Sequence, residues 1–183
     1  LREGQYLTGL GEVLYTTPLR WVVMFAPLAF LLFGWGALMR RGSSATVQLG
    51  FFTFDAVMGV SMSAIFLVFT PFSITQTFLV TAIAFAGLSL WGYTTKKDLS
   101  GMGTFLMMGV IGLIVAMIIN LFLQSGPMMY AISMIGILSF AGLTAFYTQD
   151  IKNTYVAHAA HGDQEWLDKA ASDGALSLYI SFL

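Results

Sequence analysis

The sequence predicts an all-α protein, a polytopic membrane helix bundle, from three observations. Hydrophobic residues make up 57% of the 183 residues, and the mean hydropathy is +0.81. Charged residues make up only 9%, against roughly 25% in soluble domains. No formal charge occurs between Asp55 and Lys96, or between Asp98 and Asp150. A chain without charge over such lengths is solvated by lipid rather than by water.

Helices are favoured over a β-barrel because a helix satisfies its own backbone hydrogen bonds in lipid. A barrel strand alternates apolar and polar residues over ~10 positions. Residues 105–123, in contrast, are apolar on every helix face except at Asn120. At about 20 residues per span, the chain has room for six helices and for no separate soluble domain. Residues 1–183 are therefore predicted to form a single transmembrane domain.

Turn-forming residues separate the six predicted spans. The first span follows Pro18, which suits the first helical turn because its missing N–H is unpaired there in any case. A Thr-Pro pair at 70–71 ends the second span, and a Gln-Ser-Gly-Pro turn at 124–127 ends the fourth. The spans are predicted at about residues 19–39, 46–69, 75–93, 102–123, 128–149 and 174–183, with 150–173 as a connecting loop.

The distribution of Lys and Arg predicts the orientation of the bundle. The junctions after the first, third and fifth spans each hold two basic residues, whereas the turns after the second and fourth hold no charge. By the positive-inside rule, the odd-numbered junctions are cytoplasmic. Residues 1–17 then lie outside the cytoplasm, so a further helix before Leu1 is expected, which makes seven in the full protein. The basic residues at these three junctions are Arg40, Arg41, Lys96, Lys97, Lys152 and Lys169.

Asp55 is the one formal charge deep inside a predicted span. An ionised carboxylate near the middle of a membrane helix costs on the order of 3 kcal/mol on insertion scales, so Asp55 is expected to face the bundle interior. Two interpretations are open. In one, a protonated Asp55 forms a hydrogen bond to a neighbouring helix; in the other, it handles protons or cations.

Two further charges lie at predicted cytoplasmic helix ends. Arg40 either anchors the first span at the membrane surface or turns inward to latch an acidic group at the same face, such as Asp150. Asp150 follows the fifth span, where the negative end of the helix dipole disfavours a carboxylate. That placement favours a functional role for Asp150.

Several classes of function are not predicted. The net charge of −1 provides no basic face for nucleic acid. Without cysteine, the chain has no disulfides, thiolate zinc sites or thiol chemistry. No HExxH or GxSxG motif occurs, and an intramembrane aspartyl enzyme needs two deep carboxylates where only Asp55 is present. The sequence therefore predicts neither an enzyme nor a resident cofactor or metal centre.

Three segments resemble one family of membrane proteins. They are Leu-Trp-Gly-Tyr-Thr-Thr-Lys-Lys-Asp-Leu-Ser at 90–100, Ala-Gly-Leu-Thr-Ala-Phe-Tyr-Thr-Gln-Asp-Ile-Lys at 141–152, and Gly-Ala-Leu-Ser-Leu-Tyr-Ile-Ser-Phe-Leu at 174–183. With Pro-Leu-Arg-Trp at 18–21, they are similar to bacterial members of the Bax inhibitor-1 family, the transmembrane BAX-inhibitor-motif proteins. The resemblance implies a seven-helix protein of the bacterial inner membrane, with the last helix central and with a pH-controlled calcium leak.

The resemblance also implies a sensor site. In the family, two acidic residues on the last two helices share a proton near the cytoplasmic face, because two close carboxylates do not both ionise cheaply. An Arg can latch them. The latch falls on Arg40, the first acidic position on Tyr147 and the second on Ser181, so both carboxylates are replaced here. Asp150, one helical turn from Tyr147, is a partial substitute, whereas Asp173 is expected in the loop.

Two functions follow from this resemblance. The first is a family-type ion leak, with calcium as the permeating ion and with pH gating altered or lost. The second is a non-conducting membrane regulator that binds a membrane protease or a stress-response partner. Both place the protein in the lipid bilayer of a bacterial inner membrane.

Overall fold

The computed structural model describes residues 17–159 and 162–183, and over these residues the chain is helical without any strand. Five helical stretches are long and apolar enough to cross a membrane. The predicted all-α membrane fold is therefore confirmed, while the predictions for residues 1–16 lie outside the described part. The five stretches are Leu19–Arg41, Ser44–Val68, Pro71–Thr94, Ser100–Leu123 and Gly126–His158.

The chain divides into two compact units, residues 1–75 and 76–183. In the first unit, the predicted single helix over 19–39 has three parts: α1 (Leu19–Ala29), a π-helical segment (Phe30–Trp35) and α2 (Gly36–Arg41). The wider π turn follows shortly after Pro27, which lies inside α1 and lacks the N–H that the regular hydrogen-bond pattern requires. Pro27 thus interrupts the regular hydrogen bonding of a span that is apolar from Trp21 to Met39.

The second span also belongs to this unit and consists of α3 (Ser44–Met62) and the short α4 (Ile65–Val68). The hydroxyl of Ser43 caps α3 by accepting a hydrogen bond from the backbone N–H of Thr46, at 3.4 Å. Phe54 is fully buried, and its ring centroid lies 5.9 Å from that of Phe30. The core of the first unit therefore lies between the first two spans.

The second unit contains most of α5 (Pro71–Thr94) and all of α6 (Ser100–Leu123), α7 (Gly126–His158) and α8 (Gln164–Phe182). Helix α6 ends at Gln124, which adopts a left-handed conformation with φ of 47°. The hydroxyl of Ser125 then accepts a hydrogen bond from the N–H of Met128, at 3.4 Å, and so begins α7. These residues lie in the turn that was predicted at 124–127.

The predicted loop at 150–173 is wrong over most of its length. Helix α7 continues to His158, and α8 begins at Gln164 rather than near 174. The first charge after an apolar run marks the membrane surface, but the backbone hydrogen bonds of a helix continue into water. The carboxylate of Asp163 caps α8 by accepting from the N–H of Trp166, at 3.1 Å. Asp173, expected in the loop, consequently lies within α8.

Close approaches of small residues hold the second unit together. Gly92 of α5 lies against the backbone carbonyl of Ala145 in α7, and Gly103 of α6 lies against the ring of Phe146. The ring of Phe182 in α8 contacts two phenylalanines of α5, at centroid distances of 5.7 and 5.3 Å. Helix α8 thus packs against α5 as well as α7, and the central position of the last helix in the whole bundle stays a prediction.

Candidate functional site

A cleft of about 340 Å³ lies among α6, α7 and α8 of the second unit. Its lining is mostly apolar, with three hydroxyl side chains. Two of these, Tyr147 and Ser181, stand at the positions that the family resemblance assigns to acidic residues. The structure brings them together on the wall of one cleft. The lining residues are Met107, Val110, Ile111, Phe140, Leu143, Tyr147, Ser177, Ile180 and Ser181.

Tyr147 is half-buried on α7, and its ring lies 5.4 Å from that of Phe146, centroid to centroid. The carboxylates of Asp173 and Asp150 both lie close enough to the Tyr147 hydroxyl to interact with it electrostatically. Both carboxylates belong to exposed residues, one on α8 and one on α7. Neither acidic side chain belongs to the lining of the cleft itself. Sequence reasoning missed Asp173 because it assigned that residue to a loop.

The hydroxyl groups of the two serines in the cleft donate hydrogen bonds within α8. The Ser181 hydroxyl donates to the carbonyl of Ser177 at 2.9 Å, and the Ser177 hydroxyl donates to the carbonyl of Asp173 at 3.0 Å. Their lone pairs remain available as acceptors. Neither a serine nor a tyrosine hydroxyl ordinarily ionises near neutral pH. The cleft can therefore form hydrogen bonds without changing its charge in that range.

Next to this cleft, side chains of α7 form hydrogen bonds to α5 and to the α5–α6 connection. The amide of Gln149, which is only 7% exposed, donates to the carbonyl of Lys97 at 2.7 Å and accepts from the N–H of Leu99 at 2.9 Å. The ammonium of Lys152 donates to the carbonyl of Tyr93 at 2.7 Å and lies 4.8 Å from the centroid of its ring. Gln149 holds the α5–α6 connection, and Lys152 covers the last turn of α5.

The α5–α6 connection carries one carboxylate with a defined charge state. Asp98 accepts a hydrogen bond from the backbone N–H of Ser100 at 2.9 Å, at the beginning of α6. Hydrogen bonds from the side chain and backbone of Ser100 hold the pKa of Asp98 below its usual range. Asp98 is therefore ionised at neutral pH, between the basic side chains of Lys96 and Lys97 and the first turn of α6.

Asp55 and Arg40 lie in the first unit. One carboxylate oxygen of Asp55, Oδ1, is enclosed and accepts no hydrogen bond from the residues that the structure describes. An enclosed carboxylate oxygen in this position requires a proton, a cation or a polar partner. Arg40 donates from Nε to the carbonyl of Gly36 in its own helix, at 3.0 Å, and is exposed. That geometry fits the anchoring interpretation, while a latch to Asp150 stays a prediction.

No group of three or more His, Asp or Glu side chains with metal-binding geometry occurs in 17–159 or 162–183. His158 instead stacks on Trp166, with ring centroids 4.1 Å apart. This contact joins the end of α7 to the beginning of α8.

Comparison with known proteins identifies related chains. The family model described as "Inhibitor of apoptosis-promoting Bax1" matches residues 4–183. An uncharacterized protein of Caulobacter vibrioides is 47% identical over all of this chain and 72% of its own length. The inner membrane protein YbhL of Escherichia coli K12 is 37% identical over 94% of this chain and 73% of YbhL. A Rickettsia prowazekii protein is 38% identical over 94% of this chain and 71% of its own length. No solved structure matches.

These matches agree with the fold. The family model covers nearly the whole chain, and the relatives align over more than two thirds of their own lengths. The family is not a known enzyme family. The name of the E. coli relative places it in the inner membrane, and five helices here are suited to crossing one. The chain therefore belongs to the Bax inhibitor-1 family and is an integral protein of a bacterial inner membrane.

Proposed function

We propose that the protein is a cation leak of the family type, with calcium as the permeating ion, and that its flux varies little with pH across the neutral range. One observation supports the proposal that the flux varies little with pH. Tyr147 and Ser181 line the same cleft at the two positions where relatives are expected to keep carboxylates. The site that would sense protons contains hydroxyls instead.

The chemistry of these side chains supports an altered response to pH. A close pair of carboxylates gains or loses charge as a unit when protons bind, and that change of charge can shift a gate. A tyrosine and a serine form hydrogen bonds in the same place but keep the same charge across the neutral range. The charge of a gate built on these two side chains therefore does not change with pH in the neutral range.

Negative charge elsewhere in the protein supports cation handling. Asp55 lies within the second span and has an enclosed oxygen that is not paired within the described residues. Asp150 and Asp173 act electrostatically on Tyr147 at the cleft. Within each unit, a carboxylate attracts cations and repels anions.

Calcium flux into liposomes that contain the purified protein tests this proposal. Flux is measured at several pH values for the parent protein, Asp55→Asn and Asp150→Asn, with Asp168→Asn as a control for loss of a charge on α8. We expect flux in the parent and at least a twofold reduction in one of the first two variants, about 0.4 kcal/mol in barrier height. No calcium flux at any pH would contradict the leak.

The second candidate function is a non-conducting regulator that binds a membrane protease or a stress-response partner. The mostly apolar lining of the cleft favours it, since such a surface is suited to packing against another molecule rather than to conducting ions. Crosslinking in bacterial membranes followed by purification tests this function. Recovery of one specific membrane protein, together with zero flux, would favour the regulator over the leak.

A further inference from the structure

We propose that the cleft among α6, α7 and α8 binds an uncharged lipid that has an apolar tail and a hydroxyl group at its polar end. The cleft has a volume of about 340 Å³, within the range of about 300–1,000 Å³ that is typical of small-molecule sites. Among the residues that the structure describes, none that lines the cleft carries a formal charge. Because an ion without a countercharge is costly in apolar surroundings, this lining favours a neutral ligand.

The hydroxyl groups of the lining lie toward one end of the cleft. Gly174 of α8 lies against Ile151 of α7. Tyr147 and Ser177, each about one helical turn farther from the α7–α8 connection, are therefore near each other on the cleft wall. Phe140 lies about 10 Å from Tyr147 along the axis of α7. The cleft is thus polar toward the α7–α8 connection and apolar toward its other end, as the two ends of such a lipid require.

The polar end suits an alcohol, which both donates and accepts hydrogen bonds. Ser177 and Ser181 donate to backbone carbonyls of α8 at 3.0 and 2.9 Å, so their lone pairs can accept from a ligand. No hydrogen bond joins the Tyr147 hydroxyl to another of the described residues, so its proton is available to a ligand oxygen. An alcohol at this end of the cleft would accept from Tyr147 and donate to a serine.

The other end of the cleft suits an alkyl or acyl tail. Phe140 and Leu143 of α7 form an apolar wall there, and the thioether of Met107 can adapt to a chain of irregular shape. Met107 and Ile111 are exposed on α6, a helix that is long and apolar enough to cross a membrane. A lipid can therefore reach the cleft along α6 without passing through water. The proposal does not rest on ion conduction, because a lipid can bind whether or not calcium passes.

Photolabelling of the purified protein in lipid nanodiscs tests the proposal. The probe is azioctanol, an alcohol with a photoreactive diazirine on its chain, and mass spectrometry locates the labelled residues. The competitors are decanol, its isomer methoxynonane, which cannot donate a hydrogen bond, and decanoate, which carries a negative charge. They are compared at equal concentrations in the membrane.

We expect saturable labelling of residues that line the cleft, and displacement by decanol at a concentration about fivefold lower than either control requires. Labelling of the lining that does not saturate would overturn the proposal. Equal displacement by decanol and methoxynonane would show that the hydroxyl proton is not recognised, and equal displacement by decanol and decanoate would show that the site does not select a neutral ligand. Either result would also overturn it.

Variants locate the site. Tyr147→Phe removes the donor at the polar end, and we expect the affinity for azioctanol to fall by about threefold or more. Tyr130→Phe makes the same change at an exposed position of α7 outside the cleft and should be labelled as the parent is. Ser177→Phe fills the cleft and should abolish labelling of its walls. Unchanged affinity in Tyr147→Phe, or an equal loss in Tyr130→Phe, would overturn the assignment to this cleft.

Discussion

Pro27 lacks the N–H that would donate to the carbonyl of Val23 one turn earlier, and the hydroxyl of Ser61 in the neighbouring span donates to that carbonyl. Ser61 also donates to the carbonyl of Val57 in its own helix, at 3.0 Å. A serine from one helix therefore satisfies an acceptor that a proline leaves unpaired in another. In lipid, no water is available for this purpose.

Ser61→Ala removes this hydrogen bond between helices. We expect the variant to lose about 1 kcal/mol of stability, because the carbonyl of Val23 is left without a donor. Thermal unfolding in detergent measures the loss. The control is Thr53→Val, since the Thr53 hydroxyl donates only within its own helix, to Leu49 at 2.8 Å. Equal destabilisation of both variants would refute a special role for Ser61.

Gln149→Ala should destabilise the protein more than Ser61→Ala does. It leaves the enclosed N–H of Leu99 and the carbonyl of Lys97 without their partner, and one buried unsatisfied group costs about 1–3 kcal/mol. Gln149→Glu keeps the acceptor for Leu99 and should fall between the parent and Gln149→Ala. Unfolding curves in detergent rank the stability of the parent, Gln149→Glu and Gln149→Ala. Gln164→Ala, at an exposed site, should have nearly the stability of the parent. If Gln164→Ala lost as much stability as Gln149→Ala, the buried hydrogen bonds of Gln149 would not explain the effect.

At the residue scale, the sequence predicts which residues belong to the candidate site better than it predicts which groups form hydrogen bonds with one another. The aromatic-x-Thr-Gln pattern drew attention to Tyr147, and the resemblance paired it with Ser181; the structure places both in one cleft. The bridge from Gln149 to Lys97 and Leu99 could not be predicted, because it joins residues far apart in sequence through backbone groups. Backbone donors and acceptors have no signature in the amino-acid sequence.

Two glycines of α5 differ in their surroundings. A Cβ atom on Gly92 would collide with the backbone carbonyl of Ala145, whereas one on Gly87 would meet nothing within 4 Å. Backbone cannot move aside as a flexible side chain can. The first glycine is therefore required for the packing of α5 against α7, and the second is not.

Gly92→Ala should consequently lower the thermal stability by a few kcal/mol, as overpacking does, because α5 must move away from α7. Gly87→Ala, with the same change on the same helix, should be neutral or stabilising through its higher helix propensity. Unfolding in detergent compares the two. Equal effects would contradict the packing described here.

At the element scale, apolar runs predict where a helix crosses the membrane but not where the helix ends. Helices α7 and α8 extend beyond the charges that mark the predicted surface, and His158 stacks on Trp166 where they approach each other. The Asp163 cap could have been recognised from sequence, since aspartate commonly begins a helix. The π-helical segment could not, because Pro27 indicates that the regular hydrogen bonding is interrupted but not which kind of turn follows.

At the scale of the whole molecule, six of the eight basic residues lie at alternate junctions between the spans, which predicts the orientation in the membrane. The absence of cysteine makes this prediction simple to test. Single variants Lys96→Cys and Gly126→Cys place one thiol in the α5–α6 connection and one at the first residue of α7. A membrane-impermeant maleimide added outside spheroplasts should label Gly126→Cys and should label Lys96→Cys only after lysis. The reverse pattern would invert the proposed topology.

At the scale of the whole molecule, a charged content of only 9% indicated a membrane protein, and the uninterrupted apolar runs indicated helices rather than barrel strands. The division into units at residues 75 and 76 was not predicted. It depends on which helices pack together, and all of the spans are similarly apolar. The proposed response to pH likewise depends on two polar positions, Tyr147 and Ser181, rather than on overall composition.

The most direct test compares calcium flux across pH in liposomes that contain either the parent protein or Tyr147→Asp/Ser181→Asp. The double variant places a carboxylate at both positions of the cleft, where two close acids are expected to titrate as a pair. We predict flux in the parent that changes little between mildly acidic and mildly alkaline pH, and flux in the double variant that falls as the pH is lowered. A steep pH dependence in the parent, or no flux in either protein, would contradict the account.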